Sequence, residues 1–342
     1  MTNFKDVDWE SFADNLIKEH RIDTKSTKSI PISSLKASTH VFEVTRSDLK
    51  THKTFIIETE AGNKIIQRPS LVGSQLSEVC ADAAVETVKA MFHLTEIKDF
   101  PPTSVIFYAI YRAGPYYARH TALNIITGSK VNTVTARPRY ITPSYLDHTG
   151  ERKVIIKEGT LDFKKLPTGK PLYVVTDDTG ASGQTYKVAI PTLIEQCERA
   201  GSTVEVLDVY GFHSCVSVKI LKELEKQFGI KINLFCITGI TDLAPNNYDM
   251  PLFGDKDRGD NGRGSVVDKS TILRMLPNYP PLLDIDPAGD WSARFIDIDT
   301  HLHHTLDRIK AQLDGKPAEN WEKEVVKKEL ERVENALNKY GK

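Results

Sequence analysis

The chain is predicted to be an α/β protein with a doubly wound parallel sheet, and three observations support this fold class. Short apolar segments rich in β-branched residues lie at 104–110, 173–176, 203–210 and 232–238. Segments with helical spacing of apolar residues separate them, and this alternation is typical of right-handed crossovers between parallel strands. The first two segments end in glycine-containing turns that lead into a helix. A length of 342 residues is enough for such a core with additions.

Composition limits the classes of function. The formal net charge is −1, which gives no general attraction to nucleic acid or to a membrane surface, and no apolar run approaches the length of a membrane span. The four cysteines lack C-x-x-C spacing and the spacing of secreted proteins, so we expect reduced core residues in a cytoplasmic protein. The first residues are polar and acidic rather than typical of a signal peptide.

Three parts are predicted along the chain. An N-terminal part with a helix and antiparallel strands covers 1–70, the α/β core covers 71–245, and a C-terminal extension with a loop and helices covers 246–342. Within the core, apolar residues at helical spacing over 71–92 predict a helix that leads into the first buried strand.

The N-terminal part combines a polar amphipathic helix at Trp9–His20 with strand-like segments at 41–44, 54–58 and 64–67. The last two segments are separated by Glu-Ala-Gly-Asn at 60–63, a favourable hairpin turn. We therefore expect a small antiparallel unit packed beside the main sheet.

The most informative stretch is 172–185, where a buried strand runs through Asp177 and Asp178 into a glycine-containing turn and then a helix. The backbone N–H groups of residues 181–185 are expected to be free at the helix N-terminus, which makes this turn an anion site. The two acids are expected at the rim of the sheet, as surface ligand groups rather than core residues.

Such a site suits a ligand that carries both a phosphate and vicinal hydroxyls. The carboxylates would accept hydrogen bonds from sugar hydroxyls, while the turn and the Ser182 and Thr185 hydroxyls would hold a phosphate. A phosphate alone would be repelled by the acids. No Gly-Lys-Ser/Thr ends the turn, and the glycines at 180 and 183 lack G-x-G-x-x-G spacing, so the P-loop and dinucleotide motifs do not fit.

This stretch resembles the phosphoribosyl diphosphate (PRPP) signature of the type I phosphoribosyltransferases: an apolar run, two acids, two variable residues and a small phosphate loop. The resemblance implies that Asp177 and Asp178 bind the ribose. It implies that Ala181, Ser182, Gly183, Gln184 and Thr185 bind the 5′-phosphate. Thr179-Gly180 departs from the family, which usually has bulkier apolar residues there. We expect this difference to alter packing below the loop rather than its chemistry.

A second motif follows the strand at 104–110, where Tyr111-Arg112-Ala113-Gly114 leads into a helix. A strand-to-helix turn at the carboxyl end of a parallel strand is a common ligand-binding position in open α/β sheets. The Arg-Ala-Gly sequence resembles the diphosphate-binding loop of uracil-using members of the same family. This resemblance implies that the backbone of Arg112, Ala113 and Gly114 contacts the diphosphate of PRPP.

Residues 131–158 are predicted to form two strands with an irregular polar tip, a plausible mobile lid. In the resembling family, a flexible loop at this place brings basic residues to the diphosphate. Arg137, Arg139 and Lys153 are the candidates, with His148 in the tip. The alternative for each of these residues is a solvated charge on an exposed hairpin, with no contact to the diphosphate.

The C-terminal extension contains Gly254-Asp255-Lys-Asp257-Arg258, which is loosely similar to a base-framing segment of the uracil-using members, so Asp255 is a candidate contact to the base. The Asp and His residues of 297–304 suggest either a metal site or a capped helix with exposed histidines. A charged helix at 317–342 has a narrow apolar stripe, which would pack on the body or pair with a second subunit in a homodimer.

The resemblance implies a phosphoribosyltransferase that transfers ribosyl-5-phosphate from PRPP to a nucleobase or related heterocycle, with release of diphosphate. Mg²⁺ is the implied cofactor, and Asp177 and Asp178 would reach it indirectly, through ribose or water. The alternative is a non-catalytic PRPP-sensing or nucleotide-sensing regulator of the same fold. A PRPP synthetase-like enzyme is disfavoured because the sequence shows neither a duplicated domain nor an ATP loop. No nucleic-acid-binding module is recognisable.

Overall fold

A computed structural model describes residues 7–111, 113–141, 153–253, 265–283, 291–315 and 318–341. Its strands are β1 (Thr27–Ser29), β2 (His40–Val44), β3 (Lys53–Glu58), β4 (Val105–Ile110), β5 (Asn132–Ala136), β6 (Pro138–Tyr140), β7 (Val154–Ile156), β8 (Pro171–Asp177), β9 (Thr203–Ser214) and β10 (Lys231–Thr241). Its helices are α1 (Trp9–His20), α2 (Glu60–Gln67), α3 (Gly73–Leu94), α4 (Arg119–Thr127), α5 (Gln184–Arg199), α6 (Cys215–Phe228), α7 (Lys269–Met275), α8 (Ala293–Ile296), α9 (Ile298–Gly315) and α10 (Asn320–Tyr340).

The main sheet of the described residues has eight strands in the order β1-β2-β3-β10-β9-β8-β4-β5. The strands from β3 to β5 in this order are all parallel, while β1 and β2 form an antiparallel edge. The predicted α/β architecture with a mostly parallel sheet is therefore confirmed. Each of the four predicted core strands is present, and β9 and β10 extend beyond their predicted carboxyl ends.

Helices cover both faces of the sheet, as alternate residues of β4 show. Val105, Phe107 and Ala109 belong to one apolar cluster with residues of α3, whereas Ile106, Tyr108 and Ile110 belong to the other with residues of α5 and α6. A strand buried on both faces is apolar at every position rather than at alternate ones. This double burial explains the continuous apolar runs in the sequence.

The N-terminal part differs from its prediction in two respects. Residues 60–67, expected as a hairpin turn and a strand, form helix α2, and that prediction is wrong. Thr59 caps the helix, because its Oγ1 accepts a hydrogen bond from the Gly62 amide at 2.8 Å, and Ile65 and Ile66 are buried together on one face. The expected antiparallel strands are present, since β2 pairs antiparallel with β1 and β3, but they are part of the main sheet rather than a unit beside it, because β3 pairs in parallel with β10.

The C-terminal helices pack on the body of the molecule. Trp321 on α10 makes edge contacts with Trp9 and Phe12 of α1, with a ring separation of 4.9 Å to Trp9. The Arg294 guanidinium is buried and donates hydrogen bonds to the backbone carbonyls of residues 65, 68 and 71. In the predicted stripe, Val333 is buried, and Leu330 and Leu337 are partly buried against the core. One apolar cluster therefore includes residues from all three predicted parts.

Helix α5 continues through Pro191 as one element. Among the described helices, none combines the length and the apolar character needed to cross a membrane.

Candidate functional site

The two sequence motifs lie at the carboxyl ends of two neighbouring strands. β4 continues through α4 to β5 on one side, whereas β8 continues through α5 to β9 on the other side. The two helices also pack on opposite faces, since α4 contributes to one apolar cluster and α5 to the other. The connections therefore diverge between β4 and β8. Ligands of open α/β sheets bind in the crevice at such a switch point.

The two turns contact each other at this point. A side chain at Gly114 would place its Cβ 2.4 Å from the carbonyl oxygen of Asp177, closer than real Cβ atoms approach. Only glycine therefore lets the turn after β4 lie against the end of β8. The neighbouring Ala113 is half-buried in the same turn, and Arg112 lies outside the described residues.

Asp177 is held by a buried arginine. Its Oδ1 accepts a hydrogen bond from Nε of Arg119 at 2.6 Å, and both side chains are completely buried. The same guanidinium donates to the carbonyl oxygens of Thr176 at 2.5 Å and Asp208 at 2.9 Å. A cation in the first turn of a helix is unfavourable, because the helix dipole is positive there. Arg119 occupies such a position, and this was the signal in the sequence that its side chain has a specific partner.

Asp178 is buried without a full set of hydrogen-bond partners. The residue is 5% exposed, and in the described part of the chain its Oδ2 has no hydrogen-bond partner. The expectation of two surface acids is therefore wrong. The strand β9 runs past the turn, and Gly211 permits this approach, because a Cβ there would lie 2.0 Å from the carbonyl oxygen of Asp178.

Burial changes the ionisation of both acids. It raises the pKa of Asp177 to about 6, and the charge and hydrogen bonds of Arg119 oppose that rise. It raises the pKa of Asp178 to about 8, with a hydrogen bond from the Thr179 amide opposing the rise and the charge of Asp177 adding to it. Asp178 is therefore mostly protonated at neutral pH. Carboxyl groups with such shifted pKa values are enriched at functional sites.

Residues 181–185, the predicted phosphate loop, form a turn that leads into a helix, as expected. Gly183 adopts a left-handed conformation with φ of +73°, and the 16-residue helix α5 begins at Gln184. Within the described ranges, the backbone N–H groups of Ala181, Ser182, Gly183, Gln184 and Thr185 donate no hydrogen bond to the protein. Five free amides thus converge at the positive end of a long helix, where an anion is stabilised.

The base of this loop is attached to the extended end of β9. The Gly180 amide donates to the carbonyl of Phe212 at 2.8 Å, and the Ser214 amide donates to the carbonyl of Gly180 at 2.8 Å. The Ser214 hydroxyl also donates to the carbonyl of Ala181. These bonds use the amide and carbonyl of Gly180 and the carbonyl of Ala181, so they leave the amides of residues 181–185 free. The extension of β9 beyond residue 210, missed in the sequence, therefore fixes the loop.

A histidine lies directly below the loop. His213 is completely buried, its Nδ1 is 3.4 Å from the Tyr186 hydroxyl, and its Nε2 has no hydrogen-bond partner among the described residues. Burial lowers the pKa of His213 to about 3, so the ring is neutral. A neutral ring adds no charge beside the phosphate loop.

Aromatic residues of the C-terminal extension hold the first turn in place. The ring of Tyr117 stacks on Trp291 with centroids 4.5 Å apart, and Tyr116 stacks on Phe295 at 4.3 Å. The Tyr117 hydroxyl lies 2.6 Å from the hydroxyl of Thr179, next to Asp178. This cluster connects the extension to both turns. No spacing pattern in the sequence predicts this cluster, because its contacts depend on the tertiary fold.

In the region of the predicted lid, β6 and β7 pair as a two-stranded antiparallel sheet. Arg137, Arg139 and Lys153 are exposed, and within the described residues none of them forms an ion pair. They are therefore available to an anionic ligand. The tip with His148 lies outside the described residues, and so does Asp255 in the predicted base-contacting loop.

The histidines at 297–304 belong to helix α9. His301 is buried rather than exposed, and its Nε2 donates to the carbonyl of Pro69 at 2.9 Å. No group of three or more His, Cys, Asp or Glu side chains suited to a metal ion exists in the described part of the chain. The segment therefore forms a helix, as one of the two interpretations expected, although His301 is not exposed.

A scan against models of known protein families found no match for this chain, and a search of the curated proteins found none. The likeness to the phosphoribosyltransferases rests on the motif residues.

Proposed function

We propose that the protein is a type I phosphoribosyltransferase that transfers ribosyl-5-phosphate from PRPP to a ring nitrogen of a nucleobase or related heterocycle. One observation carries the proposal above all others. Five free amides at the start of α5 directly follow an acid whose Oδ2 is unpaired among the described residues, at the switch point of the sheet. A phosphate and a sugar hydroxyl fit these neighbouring groups.

The loop amides would bind the 5′-phosphate, and the half-buried side chains of Ser182 and Thr185 stand beside them. Phosphate groups bind at helix N-termini because the amides donate and the helix dipole is positive there. The attachment of Gly180 to β9 orders the loop before the ligand arrives. Ordering the loop in advance lowers the entropy lost on binding.

Asp178 is the acid we assign to the ribose hydroxyls. In the ligand-free protein its carboxyl group is mostly neutral at pH 7, since burial raises its pKa to about 8. A neutral carboxyl group both donates and accepts hydrogen bonds, as vicinal hydroxyls require. Oδ1 of Asp177 accepts a hydrogen bond from Arg119, so we assign Asp177 a positioning role. Any direct contact of Asp177 with the ligand would use Oδ2, which has no partner among the described residues.

The diphosphate would lie between the Ala113-Gly114 turn and the cations Arg137, Arg139 and Lys153. Displacement at C1′ passes through an oxocarbenium-like state and leaves charge on the departing diphosphate. Catalysis then comes mostly from positioning and from neutralising that charge, without a protein nucleophile.

The residues present fit a Mg²⁺ ion held indirectly. Asp177 and Asp178 each have a buried Oδ2 without a hydrogen-bond partner in the described residues, and such an oxygen accepts a hydrogen bond from a metal-bound water or a ribose hydroxyl even when its carboxyl group is neutral. Mg²⁺ keeps several waters and binds substrate phosphates, so one or two carboxylates suffice. When bound, the ion would supply positive charge to the diphosphate oxygens.

We further infer a role in nucleotide metabolism, in the salvage of bases, and a cytoplasmic location. All four cysteines are free and buried, which suits a reducing compartment. Burial also raises the pKa of Cys80 and of Cys197 to about 12, so both thiols are inert.

The test is incubation of the protein with PRPP and Mg²⁺ against a panel of purine and pyrimidine bases, with diphosphate release as the readout. The proposal expects release with at least one base and loss of release in the Asp178→Asn variant. Asp162→Asn is the matched control, because Asp162 is exposed and lies outside the switch-point crevice.

The alternative is a PRPP-sensing or nucleotide-sensing regulator, which would bind the ribose phosphate through the same acid and the same free loop amides without turnover. PRPP binding without diphosphate release from any base would establish the sensor instead. Absence of PRPP binding by isothermal titration calorimetry would refute both functions.

A further inference from the structure

A second cleft opens at the same edge of the sheet, beside β3 rather than β8. Its volume is about 520 Å³, which is within the range of small-molecule sites. One face of α2, the start of β2, the end of α7 and one face of α10 form its walls. Two strands, β10 and β9, separate β3 from β8, so the cleft is roughly 14 Å from the switch point at the usual strand spacing.

The cleft is strongly basic, although the whole chain carries a formal charge of −1. Its lining includes the cations Lys64, Arg68, Arg274, Lys328 and Arg332, against the two carboxylates of Glu58 and Glu60. Arg274 and Arg332 are paired with acids, whereas Lys64, Arg68 and Lys328 form no ion pair within the described residues. Three unpaired cations facing one concave surface attract an anion.

The floor of the cleft is a rigid hydrogen-bonded unit. The Glu58 side chain is 1% exposed, and its oxygens accept from Nε of Arg274 at 2.9 Å and from Nη2 of Arg274 at 2.5 Å. Thr271 and Asn63 donate to the same carboxylate at 2.7 and 2.9 Å. Nη1 of Arg274 donates no hydrogen bond to the described residues, and the arginine side chain is 37% exposed. The guanidinium is thus fixed with one donor group free.

A strained residue supports this floor. Thr238 is completely buried and adopts φ of +64°, which is unusual for a β-branched residue. Its hydroxyl donates to Oδ1 of Asn63 at 3.0 Å, and Asn63 in turn donates to Glu58. Strained backbone conformations occur preferentially at ligand sites, where the surrounding structure maintains them. Here the strained threonine orients the amide that completes the Glu58 unit.

We propose that this cleft binds a phosphorylated small molecule of nucleotide size, separately from the switch-point crevice. The Arg274 guanidinium, fixed by Glu58, and the unpaired Lys64, Arg68 and Lys328 contact its phosphate. A planar guanidinium held in advance is well suited to phosphate oxygens. The polar side chains of Ser38, Asn63 and Gln67 at the wall face its uncharged part.

The test uses equilibrium dialysis with adenosine monophosphate and with inorganic phosphate as probes. All variants carry Ser182→Glu, which places a carboxylate in the phosphate loop and removes binding there. Lys64→Glu and Lys328→Glu in this background are each expected to weaken binding by about ten-fold or more. Lys327→Glu is the matched control, because Lys327 neighbours Lys328 on α10, is exposed and does not line the cleft.

Retained affinity in the Lys327→Glu variant, together with loss in the two cleft variants, supports the site. Binding that is unchanged in the cleft variants, equally weakened in all three, or absent in the Ser182→Glu background at millimolar probe concentrations overturns it. Circular dichroism of each variant confirms that the fold is retained. Because the loop is blocked throughout, the outcome does not depend on whether the phosphoribosyltransferase proposal is correct.

Discussion

Replacement of Asp178 by asparagine should stabilise the ligand-free protein increasingly as the pH rises. The two side chains have nearly the same shape, but asparagine does not ionise. In the folded protein, burial raises the pKa of Asp178 from 3.8 to about 8. Between these two values the folded state keeps a proton that the unfolded state has released, so this aspartate lowers the free energy of unfolding as the pH rises. Its favourable contribution is complete below about pH 4 and lost by about pH 8.

The magnitude follows from the size of the shift. Each pH unit inside that window changes the free energy of unfolding by about 1.4 kcal/mol. Between about pH 5 and about pH 7, the stability of Asp178→Asn relative to the natural protein should therefore rise by about 3 kcal/mol. The change is large beside a typical domain stability of about 5–15 kcal/mol.

The assay is urea unfolding followed by far-ultraviolet circular dichroism, at several pH values and without ligand. The Asp177→Asn variant is the contrasting control, because it leaves Arg119 buried without its charge partner. Loss of one member of a buried ion pair destabilises by about 3–5 kcal/mol. A stability difference between Asp178→Asn and the natural protein that does not change over this pH range would refute the reasoning. A difference that falls as the pH rises would refute it as well.

Three further predictions concern the turns, the lid and the extension. Gly114→Val should destabilise the protein by roughly 1–3 kcal/mol and abolish PRPP binding, because its Cβ cannot lie 2.4 Å from a carbonyl oxygen; normal binding by calorimetry would contradict this. Arg139→Ala should reduce kcat more than it raises KM for PRPP. The control Lys130→Ala, an exposed change at the amino end of the same strand region, should alter neither constant. Equal effects of Arg139→Ala on kcat and KM would show that Arg139 does not act in the transition state. Trp291→Ala should lower the free energy of unfolding, measured with urea, by about 3–5 kcal/mol, since Trp291 is 2% exposed. The control Ile296→Ala, at a residue that is 54% exposed, should be nearly neutral. Similar losses of stability in both variants would show that the tryptophan contacts contribute little.

Much of the sheet could be predicted because its strands carry their own signal. β4 and β8 are apolar at almost every position, since each is buried on both faces, and each is followed by a glycine turn. Such local patterns predict both the strand and the direction in which its carboxyl end points. The turn at Gly183 and the helix after it could be predicted for the same reason, because they are close in sequence.

The errors have a common physical cause. Residues 60–67 contain β-branched residues and a good turn sequence, but the cap at Thr59 and burial of Ile65 and Ile66 on one face favour a helix. Tertiary burial overrides weak local preference in such short segments. Arg119 lies 58 residues from its partner Asp177, and Trp291 lies 174 residues from Tyr117, on which it stacks. Contacts at such separation leave no periodic trace in a single sequence.

The positions of the tryptophans give the molecule three built-in optical probes. Trp9 and Trp321 contact each other where the two terminal segments meet, and Trp291 stacks over the turn after β4. Since the sequence contains only these three tryptophans and the parallel strands hold none of them, fluorescence excited selectively at tryptophan monitors docking of the terminal segments rather than the sheet. An emission transition that precedes the loss of ellipticity would mean that the terminal segments detach first.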